Sequence, residues 1–114
     1  MTPPGPLQAF KAEFFKALAH PIRIHILELL LTGARTVNEL GTALELDQPT
    51  VSQQLAVLRQ KHVVEARKEG ITVRYTVRDP QLRDLLDVAR RIFNNQLTGT
   101  QTMLRELRRE SRRR

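Results

Sequence analysis

The sequence predicts a mainly α chain that carries one small β-hairpin, and three observations predict it. Apolar residues recur at helical spacing along most of the 114 residues. The period falls to two only between Ile71 and Arg78. Prolines, glycines and hydroxyl residues stand where helices begin and end.

From the N-terminus, "TPPGP" cannot seed a helix, so residues 1–6 are expected to be a disordered leader. "LQAFKAEFFKALAH" sets Phe10, Phe14, Ala17 and Leu18 on one stripe, which predicts a first helix over about residues 7–19. A second helix restarts at Pro21 and stops at Gly33; its two apolar stripes mark it as central. Thr36 and Glu39 form a capping-box pattern for a third helix that buries Val37, Leu40 and Leu44. Asp47 is expected to cap a fourth, with Pro49 in its first turn and Val51, Leu55 and Leu58 on its buried side.

In "ITVRYTVR", Ile71, Val73, Tyr75 and Val77 alternate with polar residues as in a half-buried strand. "VVEARK" pairs back on it through a turn at Glu69-Gly70. Asp79-Pro80 opens a last long helix with Leu82, Leu85, Leu86, Ala89, Ile92 and Phe93 along one side. Thr98-Gly99-Thr100 is expected to interrupt it, leaving 98–114 as a basic tail with at most a short helix, and 7–97 as the folded domain. Three helices, a hairpin and a helix, in that order, make a winged helix-turn-helix.

The composition, 40% hydrophobic and 27% charged, is that of a globular chain. No run approaches the roughly 20 apolar residues that span a bilayer, and "MTPPGP" lacks a signal-peptide pattern. A cytoplasmic protein without membrane association is the expectation. With no cysteine, disulfides, thiolate metal sites and cysteine nucleophiles are excluded. The three histidines lack ligand-like spacing, and Ser52 has no histidine or acid at a diagnostic spacing. No glycine-rich phosphate loop occurs either. No enzyme, no metal and no cofactor is expected.

Charge supplies the functional clue. The net +7 is uneven: residues 36–58 carry −3, whereas 59–77 carry +3 and 78–114 carry +5. The fourth helix, which lies mostly in the acidic section, shows an outer side of Pro49, Gln53, Ala56 and Gln60 flanked by Thr50 and Ser52. Exposed helix faces ordinarily carry Lys, Glu and Arg. Carboxamides and hydroxyls instead suit base edges in a major groove, because they both donate and accept hydrogen bonds. Arg59, Lys61, Arg67, Lys68 and Arg74 come next in the chain and are placed to neutralise phosphates. Double-stranded DNA is therefore the expected partner. The alternative is a winged helix used as a protein-interaction module, which would carry apolar or acidic residues on that helix and no basic wing.

"ALAHPIRIHILELL", "VNELGTALELDQPTVSQQLAVLRQ", the hairpin and "DPQLRDLL" together resemble the ArsR/SmtB family of bacterial winged-helix repressors over residues 14–95. The resemblance implies that Gln48, Thr50, Ser52, Gln53 and Gln54 face DNA and that Arg67, Lys68 and Arg74 belong to the wing. It also implies a homodimer joined by first and last helices, through Phe10, Phe14, Leu85, Leu86, Ala89, Ile92 and Phe93. The chain departs from that family in three places. It has no cysteines at "ARTVNEL", no histidine in "DLLDVARRIFNNQL", and His62 where relatives usually have glycine. Metal-triggered release is thus not implied. An effector-sensing partner protein, a small molecule or a non-standard metal site all remain open as the signal.

Overall fold

The computed structural model describes residues 2–113; Met1 and Arg114, the outermost residues of the expected leader and tail, lie outside them. The described residues fall into two compact units, one ending at Pro80 and the other beginning at Gln81.

The first unit runs α1 (Pro6–Leu18), α2 (Pro21–Leu30), α3 (Val37–Leu44), α4 (Gln48–Gln60), β1 (Val64–Glu69) and β2 (Thr72–Val77). Each helix start has a local cause. Gly5 opens α1, its amide bonded to the Gln8 side chain, and Pro6 takes the first helical position. His20 caps α2 by accepting from the Ile22 amide through Nδ1 at 3.1 Å. Thr36 and Glu39 close the expected capping box on α3. Asp47 precedes α4 but makes no side-chain cap bond; its carboxylate accepts from the Thr50 hydroxyl instead.

The core of this unit is Ala17 and Leu18 from α1, Ile26, Leu27 and Leu30 from α2, Leu40 from α3, Val51, Leu55 and Leu58 from α4, and Val63 and Val64 entering the hairpin. Ile26, Leu27, Leu40, Val51 and Leu58 have no solvent exposure at all. Each such aliphatic side chain contributes roughly 1.5–3 kcal/mol on burial. The expected buried sides of α3 and α4 are thus largely as the periodicity indicated, with Val37 and Leu44 half-buried.

Two helix ends set the turns into α4 and into the hairpin. After α3, Glu45 adopts φ +56, and the Leu46 amide donates back to Gly41 O at 2.9 Å. A Cβ on Gly41 would stand 2.9 Å from Leu46 O, so the close α3–α4 turn requires glycine there. After α4, His62 adopts φ +60 while its amide bonds Arg59 O and that of Val63 bonds Leu58 O. That is the Schellman pattern, whose left-handed position usually holds glycine. The wing therefore turns normally, on a residue that adopts the conformation at some cost.

β1 and β2 pair antiparallel from Val64↔Val77 to Glu69↔Thr72. The connecting residues are Gly70 and Ile71, one position later than the expected Glu69-Gly70. The positive φ, +65, falls on Gly70, the first central residue, where a II′ turn reserves glycine. Ile71 consequently leaves the strand and is fully exposed, contrary to the alternation reading. Arg35 supplies a contact the sequence did not announce. Its backbone exchanges hydrogen bonds with Tyr75 at 3.1 and 2.8 Å, tying the hairpin to the start of α3.

The second unit is α5 (Leu82–Arg113), one unbroken helix of 32 residues. The expected interruption at Thr98-Gly99-Thr100 is absent. Glycine in a helix costs only about 1 kcal/mol, and threonine less. The Thr100 hydroxyl bonds Gln96 O within the helix at 3.0 Å. The division between the two compact units falls after Pro80.

Candidate nucleic-acid interface

α3, its tight turn and α4 form the helix-turn-helix, and the β1–β2 hairpin is the wing beside it. Ser52, Ala56, Arg59 and Gln60 of α4 and Tyr75 of β2 line an open groove of about 450 Å³ between α4 and the wing. Gln48, Ser52 and Gln53 are exposed and carry uncharged donors and acceptors.

Two other members of the expected reading set are engaged internally. Thr50 is half-buried and spends its hydroxyl on Asp47, whose carboxyl lies below its ordinary pKa first because of that bond. Gln54 is half-buried, and its Oε1 accepts from Arg23 Nη1 at 2.9 Å.

The expected phosphate-holding cations also divide. Arg59, Arg67 and Lys68 are exposed, and among the described residues none of them has an ion-pair partner. Lys61 is 3.4 Å from Glu13 Oε2 on α1. That hydrogen bond, followed by the Lys16 charge, lowers the Glu13 pKa. Arg74 lies between two carboxylates, 3.2 Å from Glu39 and 3.4 Å from Glu69. Partial desolvation raises the Glu39 pKa, but the Thr36 hydroxyl and amide and the charges of Arg74 and Arg35 outweigh it, and the net direction is down. Arg74 also stands directly across from Arg67, so the two carboxylates relieve like-charge crowding in the wing.

The stripe residues of the terminal helices range from half-buried to exposed. In the first unit Phe10 is 74% exposed and Phe14 half-buried, its ring edge-on to Phe15 with centroids 5.6 Å apart. In the second unit Leu85, Leu86 and Ala89 are half-buried, and Ile92 and Phe93 are more than half exposed. No three His, Asp or Glu side chains converge among the described residues as a metal would need. No described helix is long and apolar enough to cross a membrane.

Sequence reasoning missed Arg23. It lies in α2 among isoleucines and its guanidinium makes three hydrogen bonds. A lone arginine close to the start of a mostly apolar helix was the available signal.

Comparison with known proteins finds the same fold. The model of the bacterial regulatory proteins of the arsR family matches residues 20–66. An uncharacterised HTH-type transcriptional regulator of Mycobacterium tuberculosis is 45% identical over 90% of this chain and 91% of its own length. The crystal structure of that protein superposes with a TM-score of 0.78, covering 84% of this chain and 97% of the other. A probable mercury resistance operon repressor of Streptomyces lividans is 42% identical over 69% of this chain and 63% of its own. The solution structure of a homodimeric winged helix-turn-helix DNA-binding domain from Mycobacterium bovis has a TM-score of 0.75 at 29% identity, over 87% and 95% of the two chains.

Proposed function

Because the chain belongs to the bacterial arsR family of DNA-binding transcription regulators, we propose that it is a repressor whose homodimer occupies an inverted-repeat operator. Gln48, Ser52 and Gln53 of α4 read base edges in the major groove. Arg59, Arg67 and Lys68 hold the phosphates that flank it. The observation that carries this reading is the uncharged outer face of α4 standing beside cations that no carboxylate among the described residues occupies. Hydrogen-bonding side chains discriminate bases, while charge alone supplies affinity for any duplex.

A dimer follows from the exposed apolar residues on α1 and α5. Large exposed patches of this kind mark interfaces, and the M. bovis relative is homodimeric. Two copies of α4 then enter successive major grooves about 34 Å apart, which fixes the half-site spacing. Bound there, the dimer blocks polymerase by occupancy and carries out no chemical step. It works in the cytoplasm. The S. lividans relative is named for mercury resistance, but a chain without cysteine cannot offer mercury a thiolate. The releasing signal is thus of another kind, and a separate sensing protein fits that requirement.

The test is Gln53→Ala, assayed by fluorescence anisotropy on a duplex enriched from a random pool and on a shuffled duplex. Loss of a good base contact costs about 1–3 kcal/mol on the preferred sequence, with little change on the shuffled one. Equal loss on both duplexes would contradict the reading role.

A further inference from the structure

α4 has to be presented at a fixed angle if its side chains are to meet base edges, and the structure contains a device that sets it. Arg23, half-buried in α2, directs one planar group at two other helices. Nε donates to Ala17 O at 2.6 Å and Nη2 to Lys16 O at 3.1 Å. These carbonyls belong to the last turn of α1, where spare acceptor capacity and the helix dipole favour a cation; Lys16 O also accepts from the Ala19 amide. Nη1 reaches across to Gln54 Oε1 on α4 at 2.9 Å. Just past the end of α4, Lys61 is bound to Glu13, again on α1.

We infer that Arg23 is a positioning residue and that Gln54 belongs with it rather than with the base-contacting set: together they are a strut that fixes the pitch of α4 against the end of α1. The inference rests on the proposed reading role of α4. Gln that reads adenine uses its amide oxygen and nitrogen together on one base edge. In Gln54, which is half-buried, the oxygen is held by the guanidinium, whereas Ser52 and Gln53 are exposed. Arginine is required because its fork spans three acceptors in one plane; a lysine ammonium on a flexible stem does not. Because the proposed dimer uses α1, the strut also carries any displacement of α1 to the reading helix.

The experiment uses the full chain and duplexes enriched by it from a random pool, with a shuffled duplex as control. Arg23→Met and Gln54→Met are each expected to weaken binding to the enriched duplex by about tenfold, the value of one charge-assisted hydrogen bond. The double variant should lose no more than either single one. Affinity for the shuffled duplex, the salt slope and the sequence enriched should stay as in the wild type. Gln54→Glu keeps the acceptor and gives Arg23 an ion pair, so it should bind within about twofold of the wild type. It also decides the matter should Arg23→Met fail to fold. A carboxylate facing phosphates would instead depress binding to every duplex. That result, a change of preferred base in Gln54→Met, or multiplied losses in the double variant would each overturn the strut. A wild-type chain that enriches no duplex would overturn the proposed function itself, and the strut's role with it.

Discussion

The partition of cations in and beside the wing yields a quantitative forecast. Arg67 and Lys68 are exposed without carboxylate partners among the described residues, whereas Arg74 is shared between Glu39 and Glu69. Each phosphate neutralised adds about 0.9 to the slope of log affinity against log salt. Removing Arg67 and Lys68 from both protomers of a dimer should therefore flatten that slope by about 3.6. Between roughly 50 and 200 mM salt, that amounts to about two orders of magnitude of salt-induced weakening that the double alanine variant escapes. Arg74→Ala should flatten the slope by clearly less than about 0.9 per protomer, since its charge is already largely neutralised. Glu69→Gln frees one side of that guanidinium and should steepen the slope and tighten binding. Fluorescence anisotropy on one duplex across a salt series reads all four proteins. An Arg67→Ala/Lys68→Ala slope equal to the wild type, or an Arg74→Ala effect as large as theirs, would refute the partition.

Three further outcomes concern stability. Gly41→Ala brings a Cβ to 2.9 Å from Leu46 O in the turn that joins α3 to α4; thermal unfolding should show a loss of about 1–3 kcal/mol, and an unchanged midpoint would mean the turn has slack. His62→Gly removes a left-handed non-glycine residue and should stabilise the chain by about 0.5–1 kcal/mol in urea titrations, net of the greater freedom glycine gives the unfolded chain; a lower urea midpoint would contradict the strain. The Glu13 pKa is lowered in the folded state, chiefly by Lys61. Its contribution is thus present above the ordinary carboxylate range and is lost as pH falls through the depressed value. Denaturant titrations down to about pH 3 should show a slightly shallower acid loss in Glu13→Gln than in the wild type; an identical acid profile would contradict the Lys61 contact.

The helices were legible because burial writes its period into the chain: Val51, Leu55 and Leu58 could be assigned to the core from spacing alone. The cap at Thr36 and the helix start at Pro21 were equally legible, being local chemistry. What escaped was set by contacts distant in sequence or by weak local preferences. Nothing near Gln54 announces Arg23, thirty-one residues away, and nothing near Arg74 announces Glu39. These two contacts engage side chains that the family resemblance assigns to the DNA-facing surface. Ile71 was misread because alternation cannot tell a strand's first residue from the second residue of its turn. The uninterrupted α5 shows the reverse error, a turn-like triplet whose helix penalty is too small to stop a long helix.

The central claim is that the outer side of α4 lies in the duplex. A crystal structure of the chain with its enriched duplex tests it most directly. The account predicts Ser52 and Gln53 within about 3 Å of base edges in the major groove, with Arg67 and Lys68 on the flanking phosphates. A complex in which α4 turns this side to solvent or to another polypeptide would contradict it.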